Sequence, residues 1–219
     1  MTSKKAVSTK VADILRKQIL QGDWMPGQRL RQEIIAQELN VSRIPVRDAL
    51  RILEADGLVS LQTNQGAWIS ALSMQECLEQ YEIRERLEPL LIRASIPGFT
   101  KVLVEKLEQI ASSMEGISDV NLFTVVDREF HMLTYSAAPD GALKALIERL
   151  WNTTQHYRRS FAELIGPPGL STTHLEHRLL IDAIKRRDSE SAEQLIASHI
   201  RRTKLALARQ PQLFEIKSL

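Results

Sequence analysis

Asp127 and His131 stand four residues apart in a stretch of helical periodicity, so a helix would carry the carboxylate and the imidazole on one face, in line with Phe123 and Phe130. Two later histidines repeat the theme. His177 lines up with Leu180, Ile181 and Ile184, and His199 with Ala192, Leu195 and Ile196. Any one histidine on an apolar stripe is ordinarily a satisfied core residue. A carboxylate on such a stripe is harder to explain, because burying it without a partner costs several kcal/mol. A metal ion bound by one carboxylate and three imidazoles would satisfy Asp127, His131, His177 and His199 together. Such a mixed nitrogen and oxygen set suits Zn, Ni, Mn or Fe, and affinity order alone does not choose among them.

The second chemical pattern is basic. Arg43, Arg47 and Arg51 recur at four-residue spacing within the segment Asn40 to Gly57, which opens on a polar turn whose Ser42 can cap a helix and closes on glycine. Ala49, Leu50, Ile52 and Leu53 supply the apolar face, leaving the arginines free to meet something negatively charged. An ordinary solvated amphipathic helix would look the same in isolation. Its neighbours decide otherwise. Val7 to Leu20 and Leu30 to Leu39 read as helices, the second handing over to the arginine helix through Asn40-Val41-Ser42. After Gly57, Leu58 to Gln62 and Ala67 to Ser70 alternate around a Thr63-Asn64-Gln65-Gly66 turn, the pattern of a hairpin. The sum is a winged helix-turn-helix, with the arginine helix suited to a major groove and Gly66 allowing the wing tip to approach the DNA backbone or minor groove.

From Ser73 on, the pattern is helical throughout, broken at Pro97-Gly98, Gly116, Pro139-Asp140-Gly141, Gly166-Pro167-Pro168-Gly169 and Asp188. Six helices are expected, over 74–96, 100–115, 119–137, 141–165, 171–187 and 189–209. The fold class is therefore mainly α: an N-terminal winged helix-turn-helix over 1–72, with a small β-hairpin, and an all-α bundle over 73–219. Charge divides the same way. Residues 1–72 hold ten Lys/Arg against seven Asp/Glu, and the remainder nineteen against twenty, so the basic excess is N-terminal. A single cysteine, Cys77, excludes an intrachain disulfide and a cysteine-based zinc site, and a cytoplasmic protein is expected. No apolar run approaches a membrane span, and no secretory signal pattern opens the chain.

The N-terminal residues resemble the GntR family of bacterial transcription regulators. The resemblance runs through Ile19-Leu20-Gln21-Gly22, Pro26-Gly27-Gln28-Arg29-Leu30, Val41-Ser42-Arg43-Ile44-Pro45-Val46-Arg47-Asp48-Ala49-Leu50 and Leu53-Glu54-Ala55-Asp56-Gly57-Leu58-Val59. It implies operator DNA contacts from Ser42, Arg43, Arg47 and, in the wing, Gly66. Ile44 departs from the usual threonine. The second half, through Asp127-Arg128-Glu129-Phe130-His131, Glu176 to Ile184, Arg187-Asp188, Ala192 and His199-Ile200, resembles the FCD ligand-binding domain of the FadR-like subfamily. In metal-binding members the matching ligands are Asp127, His131, His177 and His199; His174, one turn from His177, is the rival.

Tyr81 to Glu88 also resembles this family. Arg84 and Glu88 make either an intrahelical ion pair or a pocket edge at which Arg84 clamps a ligand carboxylate, with Arg158 a weaker candidate on a helix able to cover the same cavity. The expected function is a homodimeric DNA-binding regulator reading palindromic half-sites, its operator affinity controlled by a small organic acid at the metal. Two rivals remain at this stage. One is a metal-dependent hydrolase, for which Glu129 or Glu176 would have to serve as base; the other is a regulator that senses the metal itself.

Overall fold

A computed structural model describes residues 2–63 and 65–215. Packing divides the chain into two compact units, one of residues up to Ser73 together with Arg149–His156, the other of Met74–Glu148 and Tyr157–Glu215. Among the described residues no helix is long and apolar enough to cross a membrane.

The first unit is built from α1 (Thr2–Gln21), β1 (Arg29–Leu30), α2 (Gln32–Glu38), α3 (Arg43–Ala55), β2 (Val59–Gln62) and β3 (Gly66–Ile69). Val11, Leu15 and Ile19 of α1 meet Ile35 of α2 and Val46, Leu50 and Leu53 of α3 in one apolar core, which the sheet closes through Leu30, Val59, Ala67 and Ile69. Both helix ends that set the turn geometry use a left-handed residue. Asn40 (φ 51) ends α2, with the Val41 amide donating to Ala36 O at 2.9 Å and the Asn40 amide to Gln37 O at 3.2 Å. Gly57 (φ 78) ends α3 in the same way, with the Leu58 amide on Leu53 O at 2.9 Å. The two orphaned turns are thereby satisfied, and α3 leaves α2 at a fixed angle.

Two expectations change. Residues Arg29 and Leu30 do not begin the second helix. They form a strand, pairing Arg29 with Trp68 and Leu30 with Ala67, so the wing is a three-stranded antiparallel sheet in the order β1-β3-β2. Ser42 sits at the N-cap of α3 with extended backbone, but its hydroxyl makes no capping hydrogen bond. The expected turn includes Asn64, which lies outside the described residues.

The second unit comprises α4 (Met74–Ser95), α5 (Lys101–Glu115), α6 (Val120–Thr134), α7 (Ala142–Gly169), α8 (Ser171–Lys185) and α9 (Ser189–Leu207), with short 3-10 turns at Ile96–Gly98 and Pro211–Phe214. α4 packs along α9, α9 on α8, and α5 on both α6 and α8. Helical geometry in α7 is interrupted at Gly166 (φ 61, ψ 178), immediately before Pro167 and Pro168.

Capping sets the phase of the helices that carry the candidate ligands. Asp119 accepts from the Asn121 amide at 2.9 Å to start α6, and Asp188 from the Ser191 amide at 3.0 Å to start α9. α8 ends on Arg187 in the left-handed region (φ 59). Its guanidinium donates to Ile96 O and Phe99 O, each at 2.6 Å, satisfying carbonyls at the close of α4 and its 3-10 turn.

Candidate functional site

α3 buries Pro45, Val46, Ala49, Leu50 and Leu53 and turns its basic ridge to solvent. Arg43 and Arg51 are 70% and 64% exposed at their side chains, Arg47 is exposed, and so is Ser42. Arg43 meets Glu33 of α2 at 3.2 Å and Arg51 meets Asp48 at 3.9 Å. Such exposed pairs hold little energy and exchange readily for phosphate. Ile44 is 45% exposed beside Arg43, an apolar side chain on the face that carries the arginines.

In the wing, Gly66 adopts φ 120, a conformation costly for any residue with a Cβ. Arg29 lies over the Trp68 ring, 5.6 Å from its centroid, and donates to Gln65 O at 3.0 Å. The sequence reading missed Arg29 as a brace for the wing tip, since it had placed that residue ahead of a helix.

Three helices of the second unit bring the candidate metal ligands together. α6 supplies Asp127 and His131, α8 supplies His177, and α9 supplies His199; His131, His177 and His199 form a group whose donor atoms all lie within 4.8 Å of one another. His131 Nε2 and His177 Nε2 are 3.2 Å apart. Asp127 Oδ1 stands 3.5 Å from His177 Nε2 and 3.8 Å from His131 Nε2. Phe130 stacks on the His177 ring with centroids 4.2 Å apart and meets His131 edge-on at 5.4 Å. His174, the rival ligand, is outside the three-imidazole group and packs edge-on against Phe123 at 5.7 Å.

These donors fit a divalent ion. Two nitrogens bound to one metal at about 2.1 Å sit about 3.0 to 3.4 Å apart for octahedral or tetrahedral angles, and the observed Nε2 pair at 3.2 Å falls inside that span. The three ring centroids are 5.0, 5.0 and 5.5 Å apart. The centre of that triangle is about 3 Å from each centroid, which matches a bond of about 2 Å plus about 1 Å from nitrogen to ring centre. Protonation agrees. Burial, and then the neighbouring His199, push both His131 and His177 well below the ordinary imidazole range, so their lone pairs are available. Burial pushes the Asp127 carboxyl up, opposed chiefly by the Arg158 charge and then by His199 and Arg84. A cation among these four groups would favour the carboxylate form.

Beside this cluster lies a basic polar pocket edge. Arg84 is buried on α4 and donates from Nε to Glu88 Oε1 at 2.5 Å, while the Tyr135 hydroxyl donates to Glu88 Oε2 at 2.5 Å. The Arg84 guanidinium carbon lies 4.8 Å from the Tyr81 ring centroid. Burial alone would lower the Arg84 pKa, but the Glu88 carboxylate and then Tyr81 hold it above the ordinary arginine value. Arg158 on α7 is pulled down to about 9, first by burial and then by the charge of Arg84. Arg128 is pulled down to about 10 by the same two causes. Three guanidinium groups thus share one electrostatic environment, where an anion is favoured. The intrahelical pair expected between Arg84 and Glu88 is present, but buried and joined by Tyr135.

The two carboxylates considered as a general base are otherwise engaged. Glu129 is exposed and pairs with Lys106 at 3.6 Å. Glu176 faces His199 Nδ1 at 2.6 Å and accepts from Arg202 through both of its oxygens, at 2.8 and 2.5 Å. That contact joins α8 to α9 across twenty-three positions and had no signal in local spacing.

Comparison with known proteins accounts for both halves. Residues 7–69 match the family described as bacterial regulatory proteins, gntR family, and residues 79–202 match the FCD domain. An uncharacterized HTH-type transcriptional regulator of Bacillus subtilis, YdhC, is 29% identical over 84% of this chain and 84% of its own length. The HTH-type transcriptional repressor RspR of Escherichia coli is 26% identical over 89% of this chain and 86% of its own. The solved structure of E. coli McbR/YncC superposes with a TM-score of 0.83 at 24% identity, covering 93% of this chain and 98% of that one, a likeness of fold.

Proposed function

The chain belongs to the GntR family of bacterial transcription regulators and carries its FCD domain, and from that premise we propose that a small organic acid bound at a metal centre controls its affinity for operator DNA. Regulation rather than turnover is the family's activity, and the engaged Glu129 and Glu176 argue against the hydrolase alternative. In this reading the protein acts in the cytoplasm as a homodimer, two α3 helices entering successive major grooves of a palindromic site. Ser42, Arg43 and Arg47 contact the duplex from α3 and Gly66 from the wing. Arginine suits the role because its planar fork pairs bidentately with guanine or grips phosphate.

The single observation that carries the sensing half is the convergence of the His131 and His177 nitrogens at 3.2 Å, with the Asp127 carboxylate against both. Asp127, His131, His177 and His199 would hold the ion, which supplies a Lewis-acid anchor for an anionic ligand. The protein's own groups do the rest. Arg84, oriented by Glu88 and Tyr135, offers its remaining donors to a carboxylate, Arg158 adds positive charge, and Phe130 helps exclude water from the imidazoles. Binding there alters DNA affinity to the extent that the acid prefers one of two arrangements of the paired reading heads.

The test measures binding of the full-length protein to an operator selected from random duplex DNA. Titrations are run with zinc, with nickel, with a chelator, and with a panel of mono-, di- and tricarboxylic acids. A shift in operator affinity that needs both metal and an acid supports the proposal. A shift with metal alone assigns the signal to the ion, and no shift under any condition defeats the sensing half.

A further inference from the structure

We infer that Glu176 is a positioning residue for the metal centre, holding His199 so that its Nε2 is the atom presented to the ion; the inference rests on the metal reading above. Glu176 is the residue before His177, yet on α8 it faces the opposite way and reaches α9. Its Oε2 lies 2.6 Å from His199 Nδ1. Carboxylate oxygens only accept at neutral pH, so the proton of the neutral His199 ring resides on Nδ1 and the lone pair on Nε2.

Glu176 is in turn held on three sides. Arg202 Nε donates to Oε1 at 2.8 Å and Arg202 Nη2 to Oε2 at 2.5 Å, a two-point grip of fork on carboxylate. The same Nη2 donates to Thr173 Oγ1 at 3.0 Å, tying the arginine back to α8. With both oxygens so occupied, Glu176 is not placed as a ligand, and it stands outside the group of converging donors. It is placed to orient one.

The need for such a device is specific to His199. The His131 and His177 rings are each 1% exposed and wedged by Phe130, whereas the His199 side chain is 14% exposed and enters from a different helix. Packing alone orients the first two. A charged hydrogen bond orients the third, and by drawing on Nδ1–H it also makes Nε2 a better donor to a cation.

The test compares the wild-type protein with Glu176→Gln in zinc affinity, by competition with a chromophoric chelator, and in the 15N resonances of the His199 ring. A glutamine keeps the shape but must oppose a donor to either Arg202 or His199. Expected for Glu176→Gln are a loss of zinc affinity of about 10- to 100-fold, a metal-free melting temperature unchanged from wild type, and a His199 ring that exchanges between tautomers. Arg202→Lys, which keeps a cation beside the carboxylate, is the second variant and should lose less affinity than Glu176→Gln. Zinc affinity within twofold of wild type in Glu176→Gln, or zinc bound through His199 Nδ1, overturns the inference while leaving the metal centre standing. Failure of the wild type to take up zinc overturns the metal reading and this inference with it.

Discussion

The Arg84–Glu88 pair allows structure and sensing to be separated by a mutant cycle. Both side chains are essentially sealed from water, at 3% and 0% exposure, and their contact is 2.5 Å. Arg84→Met removes the cation and leaves Glu88 buried with only the Tyr135 hydroxyl from this triad. Breaking a buried pair on one side costs about 3 to 5 kcal/mol. In a chain of this length each kcal/mol is worth about 2 to 4 °C, so the melting transition of the second unit should fall by about 10 °C.

Arg84→Met/Glu88→Gln should be the more stable of the two variants. The buried charge is gone, the glutamine carbonyl still accepts from Tyr135, and only the new amide group lacks its partner, at about 1 to 3 kcal/mol. The double variant is therefore expected to regain about 2 kcal/mol over the single. Its operator affinity should match wild type while its response to the acid is lost. Urea unfolding of the metal-free protein, followed by far-UV circular dichroism, measures the first half, and operator titration with and without acid measures the second. A single variant within about 1 kcal/mol of wild type would refute the buried-pair argument, and a double variant that still responds to acid would reduce Arg84 to a structural part.

Three other outcomes are expected. Arg47→Ala should weaken specific operator binding by about 1 to 3 kcal/mol, with metal content unchanged; equal binding would place the reading surface elsewhere. His177→Ala should lower zinc occupancy while the unit over 8–70 stays folded, and full stoichiometric zinc in that variant would remove His177 from the ligand set. Gly66→Ala forces a Cβ into the φ 120 conformation and should cost about 1 to 3 kcal/mol of local strain, read as a lower melting temperature of the reading head and weaker DNA binding; a variant identical to wild type in both would show that the tip relaxes freely.

What could be read from sequence was whatever one helix or one turn encodes. The α3 segment shows its apolar face, its arginine ridge and its terminal Gly57 within eighteen consecutive residues, and Asp127 and His131 share a face by helical period alone. The strand β1 was hidden because two residues are too few to show alternation, and its pairing with Trp68 and Ala67 lies almost forty positions away. Ser42 has the chemistry of a cap but not the side-chain hydrogen bond, which only the chain's course could reveal. The Glu176–His199 and Glu88–Tyr135 contacts are of the same kind, since they depend on which helix crosses which and no spacing rule reports that.

The polar interior of the second unit is better understood as a cost accepted for binding than as a source of stability. Arg84, Glu88, His131 and His177 are each at most 2% exposed, and Asp127 lies within 3.8 Å of two imidazoles. An apolar core of similar volume would serve the bundle at least as well, because replacing buried ion pairs with hydrocarbon is often neutral or stabilising. Two unprotonated imidazoles facing one another at 3.2 Å can share one hydrogen bond between them, whereas a cation uses both lone pairs and the adjoining carboxylate together. Whatever binds only the folded form adds RT ln(1 + [L]/Kd) to its stability, about 4 kcal/mol when the ligand is a thousandfold above its dissociation constant. The same differential affinity that offsets the burial of these groups is what a ligand needs in order to bias the reading heads, so the costly interior and the proposed sensing have one physical origin.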